Sequence, residues 1–205
     1  MRASLREAPP AIVSLLVAFI LVSGCGLTHR SAPDAGIPLR LVLEARPIGR
    51  GADFHPPATG PVIGRCGRSL GPRSGVHVEV LAANRVVIVP AAIGTRPPWI
   101  FSAGRISGAG CYGDLVTLEP TGLVLVRPRA RLSLSDLFRA WGQPLSRRRL
   151  AAFSAATGAM VAVFVDGRRW HGSPTGVPLA VHSEIVLEVG PYVPPHPSYT
   201  FPPGT

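Results

Sequence analysis

The sequence predicts an α+β fold: a single small β-rich domain of hairpins packed around one main helix, with a β-grasp-like arrangement as the specific expectation. Three observations carry this. Residues 76–81, Val-His-Val-Glu-Val-Leu, alternate as a half-buried strand should. Leu134, Leu137, Phe138 and Trp141 fall at i, i+3, i+4 and i+7 and make one apolar helix face. Short apolar runs separated by turn signals recur on both sides of that helix, a pattern that fits sheet packed on helix.

In chain order, Ala83-Asn84 turns the first strand into a second at 85–89. After a Pro/Gly loop, residues 115–118 and 123–126 form a hairpin. Its connection, Glu119-Pro120-Thr121-Gly122, carries Pro second and Gly fourth, as a type I turn prefers. The main helix starts at Ser133, three residues before Asp136, in the manner of a capping box. Gly142 and then Pro144 stop it. A second short helix is expected over 147–153. Residues 160–165 form a strand, Asp166-Gly167 a type I′ turn, and 168–170 the returning strand. Residues 184–189 form the last strand.

The domain thus spans 75–190. Before it, residues 25–74 are rich in Gly, Pro and Arg and read as a tether, with one added strand at 39–43. His29 and His55 in this stretch read as solvated. After the domain, residues 191–205 hold Pro191, Pro194, Pro195, Pro197, Pro202 and Pro203 and read as extended chain. Tyr192, Tyr199 and Phe201 in that tail suit packing back on the domain, with contact to a partner as the alternative.

The N-terminus carries an address. Arg2 and Arg6 precede an uninterrupted apolar run from Ala11 to Val22, far short of the roughly 20 residues of a spanning helix. The run fits the apolar core of a signal peptide over 1–24. Leu21-Val22-Ser23-Gly24-Cys25 resembles the bacterial lipobox, which implies cleavage before Cys25 and a diacylglyceryl group on its sulfur. Two acyl chains suffice for stable membrane residence. The localisation expected is therefore the cell membrane, lipid-anchored on its extracytoplasmic face. A plain secretory signal with a chance cysteine, or an uncleaved anchor, is the alternative.

The net charge is +10 with arginine as the sole source of basic side chains besides histidine. An exported chain meets anionic headgroups and acidic wall polymers before nucleic acid, so the partners expected are an anionic envelope polymer or an envelope protein, and no nucleic acid. Codon bias in a GC-rich genome explains the arginines equally well. With Cys25 lipidated, Cys66 and Cys111 remain as a pair in an oxidising compartment and read as a disulfide, two free thiols being the alternative.

Catalytic constellations are absent from the sequence. Gly108, Gly110 and Gly113 carry the letters of a dinucleotide fingerprint, but a strand follows them where a helix should, so no cofactor is expected. Cys111 with His77 or His182 as base is the remaining enzymatic reading, and it competes with the disulfide. His77 and His182, both in or beside strands, are weak metal candidates that supply two nitrogens, short of a tetrahedral site.

Residues 137–146 (Leu-Phe-Arg-Ala-Trp-Gly-Gln-Pro-Leu-Ser), the loop 90–94, the run 177–190 and the Pro-Pro-His-Pro-Ser-Tyr-Thr-Phe-Pro tail resemble a group of exported bacterial proteins that has no established activity. The resemblance covers the chain from Val76 to its C-terminus. Fuller members look metal-ready, with a His-x-His-x-His strand and a His-Thr-His-Asp segment. Here only His77 of the first motif is present, with Arg73 and Gly75 at the other two positions. Val116-Thr117-Leu118-Glu119 stands in place of the second, and His182 matches a histidine of the closing strand. The resemblance therefore implies a buried aliphatic cluster of Val116, Leu118 and Leu125 where others hold ligands. It leaves His77 short of donors and no tight divalent site. The function expected is a lipid-anchored, non-enzymatic binding or scaffolding module, with an altered metal-binding protein as the alternative.

Overall fold

The computed structural model of the chain describes residues 46–205. The expected signal peptide and strand at 39–43, with Cys25 and His29, lie outside the described residues. Among those described, no helix is long and apolar enough to cross a membrane.

A seven-stranded sheet organises the domain around β1 (Ser74–Ala82). β1 pairs in parallel with β13 (Glu184–Val189), from His77 opposite Glu184 to Ala82 opposite Val189. Two antiparallel strands share its other edge. β8 (Leu123–Val126) takes residues 74–77, and β2 (Arg85–Val87) takes residues 80–82. β11 (Ala162–Val165) and then β12 (Arg168–Arg169) extend the sheet beyond β13, and β7 (Leu115–Val116) lies outside β8. The fold is α+β as expected, mostly sheet with one helix.

Alternation along β1 gives the sheet two different faces. Val76, Val78, Val80 and Ala82 enter the main core, together with Ile185, Leu187 and Val189 of β13. The helix α1 (Leu134–Trp141) packs against that layer through Leu134, Leu137, Phe138, Ala140 and Trp141. Its start and stop are those the sequence encodes. The Asp136 carboxylate accepts the Ser133 backbone N–H at 3.0 Å, and Gly142 takes the left-handed conformation at φ 82° that closes the last turn. The two hairpin turns are also as read, with positive φ at both central residues of Ala83-Asn84 and Asp166-Gly167.

The opposite face carries His77, Glu79 and Leu81 of β1 and Glu184, Val186 and Glu188 of β13. The C-terminal tail covers it: Val193 is buried with Leu81, Phe164 and Val186, while Tyr199 and Phe201 pack on the cluster of Val116, Leu118, Leu123 and Leu125. The aliphatic cluster expected at Val116, Leu118 and Leu125 is thus in place.

Two expectations fail here. Residues 147–153 form no helix. They form a small hairpin of β9 (Arg149–Leu150) and β10 (Phe153–Ser154), with Ala151 at φ 49° in its turn. Three successive arginines offer no apolar face to a helix, whereas the hairpin buries Leu150 and Ala151 and leaves Arg147, Arg148 and Arg149 outside. Nor are residues 46–74 a tether. Gly49 N–H donates to Val86 O, Thr59 N–H to Trp141 O, and the Trp141 indole N–H to Pro56 O at 3.2 Å. Backbone pairing of this kind needs no periodic side-chain pattern, so the sequence conceals it. The segment also delivers Cys66 to Cys111, and the two form a disulfide with Cα atoms 5.3 Å apart.

The disulfide closes a span of 45 residues, and loop-closure entropy assigns such a link about 4 kcal/mol. The double variant Cys66→Ala/Cys111→Ala is expected to lose about that much in urea unfolding. A loss below about 1 kcal/mol would show that native packing, not the link, holds this segment. Leu137→Ala, which empties a fully buried site facing the sheet, is expected to cost about 2–5 kcal/mol in the same assay.

Candidate functional site

Two features stand out from the packed domain. The first is a polar seam between the sheet and the tail. Parallel pairing sets Glu184 directly beside His77, 107 residues earlier in the chain. His77 Nδ1 lies 2.7 Å from Glu184 Oε2, and Nε2 lies 2.9 Å from the Thr121 carbonyl oxygen. A carbonyl only accepts, so Nε2 carries a hydrogen. One further proton is then shared between Nδ1 and the carboxyl. Burial by itself lowers the pKa of His77. The hydrogen bond and charge of Glu184, the Thr121 carbonyl and Glu79 outweigh it and hold the imidazole above its usual value. Burial raises the Glu184 carboxyl, against the opposing pull of His77. The pair is 8% and 1% exposed at its side chains, and Glu184 Oε1 is buried with no hydrogen-bond partner among the described residues.

Glu79 lies on the same face, two residues along β1. Ligand atoms of His77, Glu79 and Glu184 all fall within 4.8 Å of one another. From the tail, the Nδ1–H of His196 donates to both Glu79 oxygens at 2.8 and 2.9 Å. The Tyr199 ring stacks on the His77 imidazole at 3.8 Å with 6° between the planes. At the far end of the seam Glu188 accepts the Val193 N–H at 3.4 Å, and burial lifts its carboxyl above the ordinary range.

His77, a weak candidate in the sequence, therefore stands at the centre of a cluster and is not short of donors. Glu79, Glu184 and His196 were missed. Glu79 alternates with His77 on one strand and was open to detection; the other two arrive through register and tail docking. His182 is elsewhere. It takes a left-handed conformation at φ 57°, packs its ring against Phe201 and reaches the Thr205 carbonyl. His55 bonds the Gly49 carbonyl at 2.8 Å. Cys111 has its sulfur in the disulfide, which removes it as a thiol nucleophile. The fingerprint glycines serve packing: a Cβ on Gly110 would lie 2.2 Å from the Pro97 carbonyl oxygen.

The second feature is a projecting arm. Its root is the pairing of β3 (Thr95–Arg96) with β6 (Cys111–Tyr112), where Arg96 faces the disulfide cysteine Cys111. Beyond the root, β4 (Ile100–Ser102) and β5 (Arg105–Gly108) form a hairpin. Trp99, Ile100 and Phe101 are 41%, 65% and 60% exposed. Isolated exposed apolar residues are ordinary, but here three stand in a row. The Trp99 indole N–H donates to Thr95 Oγ1 at 3.0 Å, which orients the ring. Arg96 and Arg105 flank the patch and are exposed.

No protein-family model, curated protein or solved structure matches the chain.

The lifted carboxyl of Glu188 yields a pH test. A folded-state pKa above the unfolded one contributes stability that is complete below the unfolded value, about 4.3, and is lost as pH rises through the folded value. Glu188→Gln keeps an acceptor for Val193 and removes the charge. The variant is expected to gain in Tm relative to the parent as pH rises from 4 to 7.5. A difference that is constant across this range would show that Glu188 titrates normally.

Proposed function

We propose that this chain is an exported, non-enzymatic binding module held at the extracytoplasmic face of a bacterial membrane by acyl chains on Cys25, and that the Trp99-Ile100-Phe101 arm is its contact with the anionic lipid surface. The arm is the observation that carries this reading. An apolar tip with an amphipathic tryptophan flanked by arginines matches the chemistry of a headgroup region. Tryptophan favours that interface, and each arginine near an anionic surface contributes about 1 kcal/mol. The charge of +10 acts in the same direction. The disulfide, which persists in oxidising compartments, supports export and holds the root of the arm.

The anchor and the arm have different duties. Two acyl chains suffice to keep a protein on a bilayer. Once tethered, the arm meets lipid at high effective concentration, so a weak contact is enough to set the orientation of the domain. A β-grasp-like core suits this role. The sheet order β2-β1-β13-β11-β12, with first and last strands parallel at the centre and one helix across them, supports that finer reading of the fold. The segment between β2 and α1 then forms an insertion that adds β8 and β7 to the sheet and carries the arm.

Fractionation tests the anchor. Cys25→Ala is expected to leave the protein soluble or unprocessed; a mutant that is fully membrane-bound at mature size overturns the lipid attachment. Vesicle co-sedimentation of the mature Cys25→Ala protein tests the arm. Binding is expected to vesicles containing anionic lipid, falling at least tenfold in Trp99→Ser/Ile100→Ser/Phe101→Ser. Equal retention of the triple variant, or absence of vesicle binding with a stable complex to an envelope protein, overturns the lipid contact.

A further inference from the structure

We propose that His77, Glu79 and Glu184 form a binding site for a divalent transition metal beneath the C-terminal tail, with His196 positioning Glu79 from the tail. The inference stands apart from the membrane reading and uses the opposite face of the sheet from α1.

Four features of the seam support it. First, the donor atoms already converge, all within 4.8 Å of one another. An ion about 2.0–2.2 Å from each ligand needs donors no more than about 4.4 Å apart, so a side-chain adjustment of a few tenths of an ångström closes the set around it. Second, His77 is oriented as a metal ligand is. Its Nε2–H is spent on the Thr121 carbonyl at 2.9 Å, which fixes the tautomer and turns the Nδ1 lone pair toward the carboxylates. A ligating histidine ordinarily donates its other ring N–H in this way. Third, Glu184 is 1% exposed, and its Oε1 is buried without a partner among the described residues. A carboxylate oxygen so placed carries a desolvation cost that a cation removes. Fourth, Glu79 is held by His196, an outer contact of the kind that orients a ligating carboxylate.

The donor set of one imidazole and two carboxylates selects the ion class. Imidazole suits zinc, copper, iron and nickel, whereas magnesium and calcium favour all-oxygen shells. Three protein ligands leave a position for water or a further group, and a cleft lined in part by His77, Glu79, Thr121 and Gly122 opens beside them. In balance, the ion replaces the proton shared by Nδ1 and Oε2, so one proton leaves to solvent for each ion bound. Because His196 and Tyr199 contact the site from the tail, the ion also ties the tail to β1 and β13.

Calorimetric titration of the mature Cys25→Ala protein, disulfide intact, with zinc chloride tests this in two buffers of different ionisation enthalpy. One ion per chain at micromolar affinity or better is expected, with release of about one proton. Glu184→Gln and His77→Ala are each expected to weaken binding at least tenfold, and His196→Ala by about tenfold. Saturating zinc should raise Tm in the parent and not in Glu184→Gln. Glu79→Gln, at a half-exposed position, provides the same readout should the buried variants unfold. The proposal is overturned if no ion binds at 100 micromolar zinc, or if binding persists unchanged in Glu79→Gln and Glu184→Gln, which would place the ion on surface histidines.

Discussion

The parallel pairing of β1 with β13 is the constraint on which the rest depends. It joins the start of the folded sheet to its last strand, so the chain between them must leave and return on one face. α1 lies on that face, over the valines of β1 and the aliphatic residues of β13. The same register that stacks Val78 beside Ile185 also stacks His77 beside Glu184. Side chains alternate along a strand, so an apolar first face and a polar second face follow from one alignment. A slip of β13 by one residue would turn Glu184 and Glu188 into the core.

A polar second face needs a cover, and the tail supplies it. Extended, proline-rich chain has few backbone donors to satisfy and can lie across a sheet without pairing to it. Its contacts come in two kinds. Val193, Tyr199 and Phe201 bury apolar surface at the two ends of the seam. Between them His196 pairs with Glu79, and Tyr199 stacks on His77. Burial on this face raises the affinity of the Glu184 and Glu188 carboxyls for protons.

Much of the fold was legible from local chemistry. The cap at Ser133 and Asp136, the glycine stop at Gly142, the turns at Ala83-Asn84 and Asp166-Gly167 and the alternating first strand are decided within a few residues of chain, and each formed as read. The hairpin at Arg149–Leu150 and Phe153–Ser154 was not, because two-residue strands leave too short a pattern to distinguish from a helical turn. The segment after Arg46 was misread for a related reason: it packs through backbone hydrogen bonds and single anchors such as Ile63 and Cys66, which leave no periodic trace.

By itself the sequence determined the class of fold, the position of the helix, the cysteine pair and the apolar character of Val116, Leu118 and Leu125. Periodicity, caps and residue parity act over short range, and the sequence displays them directly. Only the tertiary structure decided which polar groups meet. Glu184 reaches His77 across 107 residues, His196 reaches Glu79 across 117, and Trp99-Ile100-Phe101 stand exposed because nothing in the fold covers them among the described residues. Strand register and tail path set these meetings. Both follow from the summed packing of the whole domain, a quantity that no local run of residues carries.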